Sequence, residues 1–315
     1  MSSQQSDAPP PLPSPSSFDS RYADVILRSS DGTDFRMLKV DLIRSSPVFE
    51  SMFSLPQPTD AESADEQKDG LPVVALAEPA DVLGVVLRCC MPGVHPLLDD
   101  LCLAYRVAEA ARKYDIEVAL QASREVLCRC AQQEPVRVYA VACCLHLEKE
   151  ARLAARHTLR QPVSAILSCE AEELGHINGH ELRRLLNYRE SCRDGVLTHF
   201  KSYHVWTSGL AQQVRVWERA CCGSRVNYVT NVFGHSMPVQ SWWEQYMRKT
   251  LEKLRESVDD AVVSTEDAFS LFLRGSPCQA CQVLAASHMT AFTCKMAREI
   301  SDQISKVRAS LRILV

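Results

Sequence analysis

Residues 23–53, ADVILRSSDGTDFRMLKVDLIRSSPVFESMF, restrict the fold of this 315-residue chain more than any other stretch. Val25 and Leu27 alternate with Asp24, Ile26 and Arg28, which predicts a strand with Val25 and Leu27 on one side. Asp31-Gly32 supplies the residue types that a tight hairpin turn requires. Phe35, Met37 and Leu38 carry the returning strand. From Asp41 the spacing turns helical, with Leu42, Ile43, Val48, Phe49, Met52 and Phe53 recurring along a helix.

The rest of the chain divides by composition. Residues 1–17 hold five prolines among serines and read as a disordered tail. Residues 55–70 are polar, acidic and bounded by proline and glycine, so they predict an exposed loop. Leu71–Leu76 fits a further strand. Ala80–Met91 predicts a short helix with Val82, Val85, Val86 and Cys89 on one face, stopped by Pro92-Gly93. Leu97–Tyr114 is strongly helical and runs into a second helical stretch from Lys113.

Pro135 suits a first helical turn, and Val138, Tyr139, Ala142 and Leu145 follow on one face. A second helix from His146, with Leu147, Ala151, Ala154 and Ala155 inward, completes a helical hairpin. Beyond Pro162 the pattern stays helical. One stripe carries Leu185, Cys192, Val196 and Phe200, another Trp243, Met247, Leu251 and Leu254, and a terminal one Phe292, Met296, Ile300, Ile304, Val307 and Leu311.

Residues from about 20 to 130 resemble the BTB/POZ family. The resemblance rests on Leu42-IRSSPVFESMF, where the family shows S-P-x-F and a closing M-F, and on Ala111, Lys113, Tyr114 and Ile116, its A-x-K-Y-x-I ending. The stretch from Glu134 is similar to the BACK-like helical extension of many fungal BTB proteins. The resemblance implies an α+β fold: a BTB/POZ domain over residues 18–132, with a small mixed sheet and helical hairpins, then an all-α region over 133–315. It implies protein recognition, through self-association, other BTB domains or a cullin scaffold. The partner surface it implies includes Asp24, Lys39, Phe49, Met52 and Phe53. Asp24 and Lys39 are expected either to pair in a half-buried groove or to act as strand-edge charges.

Two departures shape that expectation. Only residues 17–23 separate the proline-rich tail from the first strand, leaving no helix for a strand-exchanged dimer. The acidic loop lacks the apolar-x-Glu element of cullin binders, so weak or absent cullin binding is expected.

The net charge of −4 gives no electrostatic reason to expect nucleic acid. No zinc-finger spacing supports a DNA-reading regulator of transcription. The sequence cues of an enzyme are absent too: there is no G-x-S-x-G, no phosphate loop and no H-E-x-x-H. No small-molecule substrate is evident. Neither a signal peptide nor an apolar run of about eighteen residues is present. The expectation is therefore an intracellular chain, cytoplasmic or nuclear, with its fourteen cysteines mostly reduced.

Cys221, Cys278 and Cys281 form the one constellation with metal-ligand character. A C-x-x-C knuckle presents two thiolates on a turn, and a third cysteine with His199, His204, His235 or Cys294 would complete a tetrahedral zinc site. The alternatives are buried reduced thiols and redox pairing. Cys89, Cys90, Cys128, Cys130, Cys143 and Cys144 are expected to pack in the core, as are the tryptophans.

Overall fold

The structure, a computed structural model, describes residues 18, 21–55, 67–93, 98–202, 206–207, 210, 226–230, 236–275 and 279–310. Residues 1–17, most of the acidic stretch 55–70, Cys221 and Cys278 lie outside the described residues. The chain divides into two compact units, Met1–Glu134 and Pro135–Val315.

In the first unit, β1 (Val25–Arg28) and β2 (Asp34–Met37) form the expected antiparallel hairpin, Leu27 opposite Phe35. Gly32 turns it with φ +84°, a conformation that costs a side-chain-bearing residue steric strain. A second hairpin follows, β3 (Gln67–Lys68) with β4 (Leu71–Ala75), and β4 runs parallel to β1. The sheet is thus small and mixed, ordered β2-β1-β4-β3.

Its central strand differs from the alternating expectation. Ile26 is as buried as Val25 and Leu27. A strand paired on both edges and covered on both faces loses the polar side that alternation reads.

The expected single helix after β2 is two helices, α1 (Lys39–Ser45) and α2 (Pro47–Ser54). The ring of Pro47 pushes the preceding residue out of helical space, and Ser46 is extended at φ −148°, ψ 116°. Its hydroxyl then accepts the Phe49 N–H at 3.1 Å and caps α2. The break redirects the apolar residues. Leu42 and Phe49 point into the core, whereas Ile43 is exposed.

Three further helices follow among the described residues of the unit: α3 (Ala80–Cys90), α4 (Leu101–Lys113) and α5 (Glu117–Cys130). Helix α3 is buried over almost its whole length, from Val82 through Leu87, and not on one face alone. It joins Val25, Leu27, Phe35, Met37, Leu42 and Phe49 in one core, with Phe18 set edge-on against Phe35 at 5.1 Å. Each such side chain contributes about 1.5–3 kcal/mol when fully buried.

The second unit opens with the paired helices α6 (Pro135–Cys144) and α7 (Glu148–Thr158), turned at His146 with φ +53°. A short α8 (Val163–Leu167) precedes α9 (Gly179–Lys201), which begins with a capping box between Asn178 and Glu181. Then come α10 (Ser241–Glu256), α11 (Thr265–Gly275) and the long α12 (Gln279–Ser310). Trp206, Trp243 and Tyr246 gather around Phe292, with ring centroids 5.7 to 6.5 Å apart.

This unit is not all helix. Strands β5 (Val226–Thr230) and β6 (Ser236–Gln240) pair antiparallel ahead of α10. The β-branched and aromatic residues of VNYVT favour a strand, a signal outweighed in the sequence reading by the helical patterns around it. Among the described residues, no helix is long and apolar enough to cross a membrane.

The cysteines divide by helix face. Cys89, Cys90, Cys143 and Cys192 are buried, and burial pushes their thiols up to about 11 or 12. Cys128, expected in the core, is exposed, and Cys130 and Cys144 are half-buried. On α5 the inward positions are Val126 and Leu127, so the next residue turns outward at about 100° per residue.

Candidate protein-docking surface

Tyr114, at the end of α4, anchors the α1–α2 pair to the core. Its ring stacks on Phe49 at 5.1 Å with an interplanar angle of 6°. Its backbone carbonyl accepts the Ser46 hydroxyl at 2.5 Å, so the residue that caps α2 also ties it to α4. The Tyr114 hydroxyl donates to Glu78, whose other oxygen accepts from Lys113 at 2.7 Å. Burial raises the Glu78 carboxyl, but these two donors outweigh it and leave the carboxyl below its ordinary value. Burial and the Glu78 carboxylate push the Tyr114 phenol up to about 12.

Asp24 and Lys39 meet, though not as an ion pair. Asp24 accepts the backbone N–H of Lys39 at 2.7 Å, at the first turn of α1. The Lys39 ammonium instead lies over the Phe53 ring, 5.4 Å from its centroid. That contact brings the start of α1 to the end of α2.

The expected contact residues therefore play different parts. Phe49 is fully buried between Phe53 and Tyr114 and offers nothing to a partner. Met52 and Phe53 are half-buried against the core. On and just after the helix pair, the exposed apolar groups are ones not expected as partner contacts: Val40 at 57%, Ile43 at 36% and Leu55 at 67%. Val40 and Ile43 stand three apart on one face of α1. Reading Pro47 as a helix break would have turned Ile43 outward and revealed that face.

The outward side of the sheet is polar by contrast. Asp34 holds Arg28 at 2.6 Å and Lys68 at 2.7 Å, and Arg36 pairs with Asp69. The Arg28 guanidinium pulls the Asp34 carboxyl down to about 2. This network spans three strands and blunts the edges of a short sheet.

Of the zinc candidates, Cys221 and Cys278 lie outside the described residues, and Cys281 sits on the backbone of the first turn of α12. His199 faces Glu299 at 2.9 Å, and Cys294 is exposed. Among the described residues, no three His, Cys, Asp or Glu side chains converge to hold a metal ion. Trp217, His204 and His235 also fall outside the described residues.

No protein-family model matches the chain, and no curated protein matches it significantly.

Proposed function

We propose that the first unit is a BTB/POZ-like docking module and that the chain is an adaptor that holds other polypeptides, a second copy of itself among them, with no catalytic role. One observation carries this reading: α1 presents Val40 and Ile43 to solvent on a helix fixed at both ends. Asp24 holds its start, and the Ser46 to Tyr114 bond holds the turn after it. Apolar groups kept outward on a rigid support gain free energy when a partner covers them, and the support has no ordering cost left to meet. Lys39, at the edge of that face, adds a point charge that selects among partners more than it adds affinity.

The resemblance of Leu42-IRSSPVFESMF to the BTB/POZ signature supports the same reading, as does the order of strand, hairpin, helix pair and parallel strand. The acidic, apolar-poor stretch after α2 argues against a cullin scaffold as the main partner.

The test is affinity purification of the full chain with quantitative mass spectrometry, comparing the native sequence with Val40→Glu/Ile43→Glu. Both positions are exposed, so the variant keeps the core. The reading expects at least one near-stoichiometric protein partner that the variant loses. Equal retention by both proteins, or cullin at near-stoichiometric levels, contradicts it.

A further inference from the structure

The second unit contains a cleft between α10 and α11 that the docking function does not use. Its volume is about 230 Å³. Lys249 and Lys253 line it from α10, and Arg274 and Asp267 from α11. Three positive charges thus face one negative charge. Lys253 is paired with Asp267 at 3.0 Å across the opening. Glu252 and Glu256 border the shallower hollow beside it.

Hydroxyl groups complete the lining. Thr250 is buried, and Ser270 stands at the rim. Tyr246 is 1% exposed, yet its buried hydroxyl makes no well-formed hydrogen bond, Thr250 lying near it without the right geometry. A buried hydroxyl left so is unfavourable, and a ligand acceptor would relieve it. Burial pushes this phenol up to about 12, so it is a donor at neutral pH.

We infer that this cleft binds a phosphate group carried by a small molecule. The lining of the cleft itself, with Glu252 and Glu256 outside it, carries an excess of two positive charges, which suits a phosphate monoester of about −1.5 to −2 near pH 7. Ammonium, guanidinium and hydroxyl donors suit its three terminal oxygens. A carboxylate would leave one cation uncompensated. The cleft is smaller than the roughly 300–1,000 Å³ of sites for drug-sized ligands, and buried Tyr246 lines it. That geometry favours a compact ligand over an extended phosphopeptide.

Calorimetric titration of the full chain with inorganic phosphate, at ionic strength fixed with chloride, tests the inference. It expects one saturable site per chain. Lys249→Ala/Arg274→Ala is expected to weaken binding at least tenfold. Asp267→Asn, which releases Lys253, is expected to tighten it severalfold, a gain that misfolding cannot imitate. No saturable binding, equal affinity in the double variant, or a phosphoserine peptide binding more than tenfold tighter than phosphate overturns the inference. These outcomes are independent of whether α1 docks a protein.

Discussion

Asp24 reaches across from the first strand to cap the helix that follows the hairpin, its carboxylate accepting the Lys39 N–H at 2.7 Å. Leu38, at the cap position itself, has no side-chain acceptor. Asp24, fifteen positions before Lys39, thus satisfies one of the orphan donors at the start of α1. Asp24→Ala is expected to cost about 1 kcal/mol, as helix-cap losses do, and Asp24→Asn less, since it keeps an acceptor. Urea denaturation of the two variants measures the difference.

Phe49 and Tyr114 are the pair on which the helix pair rests. Phe49→Ala is expected to cost about 3–5 kcal/mol, the range for emptying a buried phenylalanine site. Tyr114→Phe keeps the stacking and removes one of two donors to Glu78, for an expected loss of about 1.5–3 kcal/mol. Thermal unfolding should therefore rank Phe49→Ala well below Tyr114→Phe, and the reverse order would contradict the packing described.

Asp34 makes the first unit sensitive to acid. Its carboxyl is held at about 2 by Arg28, against the opposing effect of burial and with help from Lys68. A carboxyl whose folded value lies below its unfolded value of about 3.9 contributes stability that is complete above the unfolded value. That stability is lost as pH falls through about 4 toward 2. Asp34→Asn is expected to be less stable at neutral pH and to lose less on acidification, as read from denaturant midpoints at each pH.

The cysteines give a reactivity pattern. Cys102, Cys128 and Cys294 are exposed, whereas Cys89, Cys90, Cys143 and Cys192 are buried with raised thiols. Thiolate is the reactive form, so brief alkylation followed by peptide mapping is expected to label the first three and spare the other four until denaturant is added.

Much of the first unit was legible from residue spacing. Alternation in VILR, Asp31-Gly32 and LPVVA located the hairpin and β4, and Pro135 stands where α6 begins in the second unit. What escaped were properties set by neighbours distant in sequence. Ile26 belonged to the polar side of β1 by alternation, yet it is 1% exposed on a strand paired to both β2 and β4. Arg189 on α9 is 5% exposed and donates to the Gln161 carbonyl, a burial that residue spacing does not reveal. The two-residue β3 is too short to carry a period.

The candidate surface was legible only in part, and for one reason. The residues of α1 and α2 were read as one helix, which set Ile43 in one apolar run with Leu42 and Phe49 and left Val40 unselected. Pro47 carries the correction, because a residue before proline leaves helical space. Phe49, expected on the partner surface, belongs to the support, since ring stacking with Tyr114 encloses it.

Hydrogen exchange on the chain, alone and with any partner that affinity purification identifies, tests the central claim most directly. The account predicts slowed exchange on binding over residues 39–55, centred on Val40 and Ile43. Protection confined to the second unit, with no change over residues 39–55, would contradict it.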